Sequence, residues 1–390
     1  MALKILVVDD EPDVELLIRQ RFRRRIREGG LNFEFALNGE EALAKLDGDD
    51  SIDIVMSDIN MPVMDGLTLL SRIRDMDRLL RTVIVSAYGD MQNIRIAMNR
   101  GAYDFLTKPI DFEDFEITIQ KTIKEIEDLR AGHQARKQLD DIEKELGVAN
   151  RIQQSMLPQT FPPFPERREF EVYAEMQPAR LIGGDFYDFF MIDEDRFGFV
   201  IGDVSGKGVP AALFMAATRT LLRAMAMQGT TSAECIQYVN NVLSKQGDGM
   251  MFVTIFYAIL NTRTGHLDYC NAGHHPPRIV TAGGEVRHAN EGGGMIAGLY
   301  AAAPYSGGNL TLRPGDGLLL YTDGITEAFD SRGEMFGDAG LDQTLQGAAA
   351  LPVGEIVKGL MANVRTFMGT APQSDDMTVL AVRYLGQVGG

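Results

Sequence analysis

Three unbroken apolar runs of strand length mark the first third of the chain: LKILVV ahead of the acids of DDEP, IDIVMSD, and TVIVSAY. None shows the alternation of a half-solvated strand, so both faces of these strands should be covered. Between them GEEALAKL and GLTLLSRIRDM repeat apolar residues at helical spacing. Strand and helix taking turns predicts a parallel sheet with helices on both sides. Residues 1–122 are thus expected to form an α/β doubly wound domain whose functional groups gather at the carboxyl ends of its strands. The arginine-dense RQRFRRRIR, Arg19 to Arg27, reads as the solvated face of an early helix that turns Leu16, Leu17, Phe22 and Ile26 inward.

From Phe112 to Met156 the chain is polar and helix-prone, free of proline, with Gly132 and Gly147 as its weak points. Leu139, Ile142, Leu146, Ala149, Gln153 and Met156 recur at alternating steps of three and four, a short heptad seam. The expectation is a helical coiled-coil linker over residues 123–158 through which two copies pair. A single amphipathic helix packed on its own domain is the other reading. LPQTFPPFPER then ends the helix with four prolines, and residues 159–390 change character. FEVYAEM, RFGFVIGDV, FVTIFYAIL, GHLDYCNAG, GLLLYTDG and MTVLAVRYL are strand-like and mostly follow one another. That order points to an α+β domain of stacked sheets, with no internal repeat.

Composition narrows the choice of partner. With 45% hydrophobic residues the chain can build real cores, and a formal net charge of −17 argues against an extended nucleic-acid footprint. The two cysteines, Cys235 and Cys270, form no Cys-x-x-Cys pair and make neither a disulfide framework nor a thiolate metal site. No secretory start and no apolar span of about 20 residues is present. VPAALFMAATRTLLRAMAM, broken by Arg219 and Arg223, reads as a largely buried helix. A cytoplasmic protein without membrane partners is expected.

Chemistry enters at the strand ends. Asp9 and Asp10 close the first strand, Asp58 closes a later one, and Lys108 follows another in FLTKP. In a parallel sheet these ends converge, and crowded carboxylates need a cation; an all-oxygen set that keeps waters suits Mg²⁺. A carboxylate beside Mg²⁺ can attack a phosphoryl donor and become an acyl phosphate, with Lys108 on the transferred oxygens. DD at 9 and 10, SDINMPVMDG, VSAYGD and DFLTKP, in this order, resemble the receiver domain of two-component response regulators. The resemblance implies a flavodoxin-like fold and Asp58 as phosphoacceptor of a cognate histidine kinase. It further implies Mg²⁺ at Asp9, Asp10, Asp58 and the Asn60 carbonyl, and Ser86 with Phe105 as the switch pair.

A second set of acids lies further on. IGDVSGKG looks at first like a phosphate loop, but Gly202 stands one residue too close to Gly206-Lys207, and Gly208 replaces the required hydroxyl. The acids give a better account: Asp185 in IGGDFYD, Asp203 in IGDVSGKG, Asp323 in LLLYTDG, and Asp375 with Asp376 in SDDMTVL. Each sits at the margin of a strand, and without His or Cys partners the set favours hard cations, Mg²⁺ or Mn²⁺. Two such cations bridged by water would supply a hydroxide and clamp an in-line phosphoryl displacement. These motifs, with ANRIQQSMLP and NAGHHPP, resemble the SpoIIE-type branch of the PPM metal-dependent protein serine/threonine phosphatases.

That second resemblance implies an αββα sandwich with Asp185, Asp203, the Val204 carbonyl, Asp323 and Asp375 on two Mg²⁺ or Mn²⁺ ions; of the Asp375–Asp376 pair the first is taken. Asp188 reads as orienting Asp185 or capping a turn rather than holding a further metal. His274 and His275 are open between general acid and structure, and Lys207 between phosphate contact and solvation of the turn. Animal-type members carry a histidine just after the first metal aspartate, where this chain has Phe186. The source of the leaving group's proton is therefore open. Together the halves predict a receiver that regulates a phosphatase, through the helix ending in IQQSML. The resemblance implies as substrate a phosphorylated STAS-domain anti-anti-sigma protein. The alternative is a non-enzymatic scaffold that binds a partner when its receiver is phosphorylated. A transcription factor is disfavoured by the lack of a basic DNA-binding element after the receiver.

Overall fold

The computed structural model describes residues 3–76, 78–246 and 250–387. The chain divides into two compact units, Met1–Ile142 and Glu143–Gly390. In the first, β1 (Leu3–Val8), β2 (Leu31–Ala36), β3 (Ile52–Asp58), β4 (Arg81–Ala87) and β5 (Asp104–Lys108) form one sheet in the order β2-β1-β3-β4-β5. All its pairings are parallel, and every residue of β3 is buried, as an apolar run covered on both faces requires. The connections are α1 (Pro12–Arg21), α2 (Arg23–Arg27), α3 (Gly39–Gly48), α4 (Gly66–Arg74) and α5 (Met91–Asn99). Local chemistry sets where they start: Asn38 accepts the Glu41 N–H at 3.0 Å and Asp65 the Thr68 N–H at 2.7 Å.

The early arginine-rich stretch departs from expectation. Phe22 is buried against Phe33 and Phe115, and Ile26 packs on the same cluster, but Leu16 and Leu17 are 69% and 52% exposed. Ile18 is buried in their place. Val14, Ile18 and Phe22 stand at steps of four and share one helix face, whereas Leu16 and Leu17 fall between.

The helix α6 (Phe112–Met156) runs for 45 residues and passes through both Gly132 and Gly147. Its first turns bury Phe115, Ile119, Thr122 and Ile126. Arg25–Glu116, Lys121–Asp104, Arg81–Glu125 and Arg130–Asp53 ion pairs flank that face. Further on Leu139 and Ile142 are exposed, while Gln153, read from sequence as a seam position, is 4% exposed and bonded within its own unit. The seam therefore does not present one uniform face. Among the described residues no helix is long and apolar enough to cross a membrane.

The second unit stacks two antiparallel sheets. β7 (Phe186–Met191), β8 (Arg196–Val204), β9 (Val253–Asn261), β10 (His266–Ala272) and β13 (Gly308–Thr311) make one, in the order β13-β10-β9-β8-β7. β6 (Phe170–Gln177), β11 (Arg278–Val280), β12 (Val286–His288), β14 (Gly317–Tyr321) and β15 (Met377–Tyr384) make the other, in the order β12-β11-β14-β15-β6. Period-two alternation divides β14 between two cores. Leu318 and Leu320 of β14 join the inner cluster with Phe197, Phe199 and Phe256. Leu319 and Tyr321 join an outer one with Val357, Leu360 and Val364 of α11 (Val353–Met368) and Leu341 of α10 (Gly337–Leu345). The inner cluster also takes in Met215 and Leu222 of α7 (Val209–Ala226) and Ile236 and Val239 of α8 (Ser232–Gln246). The result is helices outside two sheets, an αββα sandwich.

Asp188 of β7 is fully buried, and its carboxylate meets Arg219 and Arg223 of α7 at 3.0 Å. Burial raises its pKa even with both guanidinium groups opposing. It ties a helix to a sheet. Removing one partner from a buried ion pair leaves the others uncompensated. Asp188→Ala should therefore lower the stability of this unit by about 3 kcal/mol. Urea denaturation followed by circular dichroism is the check, the chain having no tryptophan.

Candidate functional site

At the carboxyl edge of the parallel sheet, Asp9, Asp10 and Asp58 bring one oxygen each within 4.8 Å of one another. β1 and β3 are neighbours, so their last residues meet without any long-range adjustment. Asp9 and Asp58 are buried while Asp10 is exposed. Lys108 Nζ reaches Asp58 Oδ2 at 2.5 Å, Asp9 Oδ2 at 3.0 Å and Glu11 Oε1 at 3.4 Å. Burial works against the lysine's charge, but hydrogen bonds to Asp58 and Asp9 outweigh it and lift its pKa well above the ordinary value. Burial raises the Asp9 pKa, opposed by the Glu11 N–H and by Lys108.

The loop after β3 is drawn in tightly here. A Cβ on Gly66 would lie 2.0 Å from the Asp58 carbonyl oxygen, so the position admits no side chain. The Asn60 N–H points to Asp58 Oδ1 at 3.3 Å. Ser86 is buried, its hydroxyl 3.4 Å from Asp90, and Phe105 packs beside Ile59, Leu70 and Ile84. Glu11, which shares Lys108, was not singled out from sequence; its only signal was adjacency to the acid pair.

The second set of acids converges from both sheets. Asp185 is 1% exposed; its Oδ2 accepts the Thr322 hydroxyl at 2.7 Å and the Thr378 hydroxyl at 2.6 Å. Asp203, near the end of β8, lies within hydrogen-bond reach of Asp185. Burial, then the charge of Asp203, raises the Asp185 pKa far above a carboxylate's usual range; burial and Asp323 bring Asp203 to about 7. Burial and Asp375 raise Asp323 as well. A Cβ on Gly184 would sit 2.8 Å from the Val204 carbonyl oxygen, which places that carbonyl against the Asp185 loop. The spacing is looser than in the first site: among the described residues only Asp9, Asp10 and Asp58 form a group of three within 4.8 Å.

The ambiguous neighbours separate by their partners. Asp376 accepts the Ala179 N–H at 2.8 Å and the Gly184 N–H at 2.7 Å, so both its oxygens are committed to backbone. Asp375 turns the other way and meets Lys207 Nζ at 2.9 Å, while Lys207 also donates to the Ser374 carbonyl at 2.5 Å. Asp188 serves Arg219 and Arg223 and touches neither Asp185 nor a turn of its own beyond the Phe189 N–H. His274 is buried: Nε2 lies 3.1 Å from the Tyr321 carbonyl and Nδ1 2.8 Å from the Thr254 hydroxyl. A carbonyl only accepts, so Nε2 carries the proton and Nδ1 accepts from Thr254. Burial drives this imidazole's pKa down to about 3. His275 is exposed, stacked on Tyr321, and its charge lowers the Asp323 pKa.

Both centres fit a hard divalent cation. Their donors are carboxylate and carbonyl oxygens, and in the second the acids crowd until their pKa values rise, which an added positive charge would relieve. Asp9, Asp10 and Asp58 are the residues to hold one in the first unit. In the second the candidates are Asp185, Asp203, Asp323, Asp375 and the Val204 carbonyl, drawn from the margins of both sheets.

Comparison with known proteins agrees with both halves. The response regulator receiver domain family matches residues 5–120, and the family described as stage II sporulation protein E (SpoIIE) matches residues 193–385. Protein IcfG of Synechocystis sp. is 31% identical over 265 residues, covering 61% of this chain and 41% of that protein. The phosphoserine phosphatase RsbU of Bacillus subtilis is 28% identical over 193 residues, covering 50% of this chain and 56% of that one. The chain thus spans about half the length of these relatives. The SiaA-PP2C domain of Pseudomonas aeruginosa superposes with a TM-score of 0.56 at 23% identity, covering 63% of this chain and 98% of that one, a likeness of fold. The acid centre at the edge of the parallel sheet lies within the receiver match, and Asp203, Asp323 and Asp375 of the second lie within the SpoIIE match while Asp185 stands just ahead of it; the chain joins an N-terminal response regulator receiver domain to a C-terminal SpoIIE-type domain.

Proposed function

We propose that this chain is a protein serine/threonine phosphatase controlled by phosphorylation of its own receiver. The observation that carries the reading is the crowding of buried Asp185 with the half-buried Asp203, Asp323 and Asp375, whose mutual repulsion calls for cations and for little else. Mg²⁺ or Mn²⁺, when bound by these acids and the Val204 carbonyl, supplies an activated water and positive charge for the phosphoryl oxygens. The chain's own residues do the rest. Thr322 and Thr378 fix Asp185 by one oxygen and leave the other free to turn toward Asp203. Lys207 steadies Asp375 at the rim. His274, neutral and bonded at both nitrogens, cannot give a proton to the departing serine oxygen.

In the receiver, Asp58 is the proposed phosphoacceptor of a cognate histidine kinase, with Mg²⁺ at Asp9, Asp10, Asp58 and the Asn60 carbonyl. Lys108 already spans two of these acids and would meet the incoming phosphoryl oxygens. Ser86 and Phe105 are the proposed switch pair. The working division is receiver 1–122, helical linker 123–158 and phosphatase 159–390. Leu139 and Ile142, exposed on α6, are the residues offered to a second copy. A phosphoserine STAS-domain anti-anti-sigma protein is the proposed substrate, supported by the likeness to RsbU, itself described as a phosphoserine phosphatase.

The test is Mn²⁺-dependent phosphate release from such a phosphoprotein, with and without beryllofluoride on the receiver. Chelation by EDTA should abolish release and Mn²⁺ restore it. Asp203→Asn should lower the rate by more than about 100-fold, since even outer-shell changes at a metal centre cost roughly 10–100-fold. Asp58→Asn should erase whatever change in rate beryllofluoride causes in the unaltered chain. Release that persists in EDTA, or in Asp203→Asn, sinks the reading.

A further inference from the structure

Gln153 lies in the last turn of α6, almost completely buried. Its amide nitrogen donates to the Gly183 carbonyl at 2.6 Å, and its amide oxygen accepts the Gly183 N–H at 3.2 Å. Meeting both polar groups of one residue leaves that backbone no freedom to rotate. The fixed residue is two positions ahead of Asp185. On its other side the same loop is held by Asp376, through the Ala179 and Gly184 N–H groups. A Cβ on Gly183 would fall 2.3 Å from Asp376 Oδ2, so the glycine is pressed between the two anchors. Asp376 leads into β15 and is fixed by the sheet. Gln153 belongs to a helix, and one turn earlier the Asn150 side-chain oxygen is buried without a hydrogen-bond partner. A seat that leaves a polar atom unsatisfied is less costly to vacate.

We propose that Gln153 is a positioning residue for the acid centre. With the last turn of α6 seated, its amide holds the Gly183 backbone so that Asp185 faces Asp203. When that turn withdraws, the loop relaxes and cation binding weakens. The proposal rests on Asp185 and Asp203 being cation ligands. It gives regulation a physical handle, because α6 begins only four residues after Lys108 of the receiver site and runs unbroken to Gln153. A helix with a seated and a withdrawn arrangement is the two-state element that a signal can bias.

The experiment titrates Mn²⁺ into the full chain by calorimetry, without substrate, and compares Gln153→Met, Arg151→Ala and Asp203→Asn. Methionine keeps the length and bulk of glutamine and removes both hydrogen bonds; exposed Arg151 controls for the helix. Binding that disappears in Asp203→Asn is assigned to this centre. Gln153→Met should weaken that binding about tenfold or more. Amide exchange over residues 179–186 should quicken, the melting temperature should stay near that of the unaltered chain, and saturating Mn²⁺ should restore kcat. Arg151→Ala should behave as the unaltered chain. Equal Mn²⁺ affinity and equal exchange in Gln153→Met overturn the proposal. So does weakened binding accompanied by a fallen melting temperature, which marks a merely structural role. Failure of the parent reading looks different: the unaltered chain and Asp203→Asn then bind Mn²⁺ alike, and the proposal falls with it.

Discussion

One carboxylate oxygen joins the two sheets of the C-terminal unit. Asp185 stands just before β7 of one sheet, and its Oδ2 takes the hydroxyls of Thr322, just after β14, and Thr378, in β15, both of the other. A buried carboxyl held only by neutral hydroxyls is stable as a proton carrier or beside a cation, and poorly as a bare anion. The whole acid centre follows from that constraint. Asp203, half-buried, shares Asp185's problem, Asp323 and Asp375 extend the negative field, and the Val204 carbonyl lies against the loop that carries Asp185. Stability of the sandwich and readiness for a cation are thus one arrangement of groups.

The chain answers the same electrostatic difficulty differently at its other acid centre. There a lysine is brought across the sheet from β5, and Lys108 neutralises part of the charge of Asp9 and Asp58 directly. Among the described residues no interior lysine does so for Asp185 or Asp203; Lys207 reaches Asp375, at the rim. A site with its own ammonium group can remain organised while its ligand comes and goes. A site without one depends on the cation and on the loops that carry the acids, which makes the placement of the Gly183–Asp185 loop a point of leverage.

The helix α6 shows how one sequence pattern can serve two environments. Its early turns are spaced to bury Phe115, Ile119, Thr122 and Ile126, with ion pairs on either side. Its last turn buries Gln153, a polar residue whose burial is tolerable only because both ends of its amide are satisfied. Between them Leu139 and Ile142 remain in solvent. Heptad spacing records that a helix has a preferred face, and it is silent on what covers that face.

Sequence alone determined the fold class and the family. Unbroken apolar runs alternating with helical spacing can be satisfied only by a covered parallel sheet, and IDIVMSD and RFGFVIGDV are strands to the residue. Strand-end acids were legible for the same reason: strand ends in a sheet meet. What local pattern cannot encode is which partner arrives from elsewhere in the chain. Leu16 and Leu17 were expected inside and lie outside because helix phase, not apolarity, chose Ile18. Asp375 and Asp376 are adjacent and chemically identical; only the loop at 179–184 makes the second a backbone acceptor and leaves the first toward Lys207. Asp188 found two arginines on α7, and His274 found a carbonyl and a hydroxyl from separate strands. Residue type set what each group could do, and three-dimensional proximity decided which of those capacities was already spent.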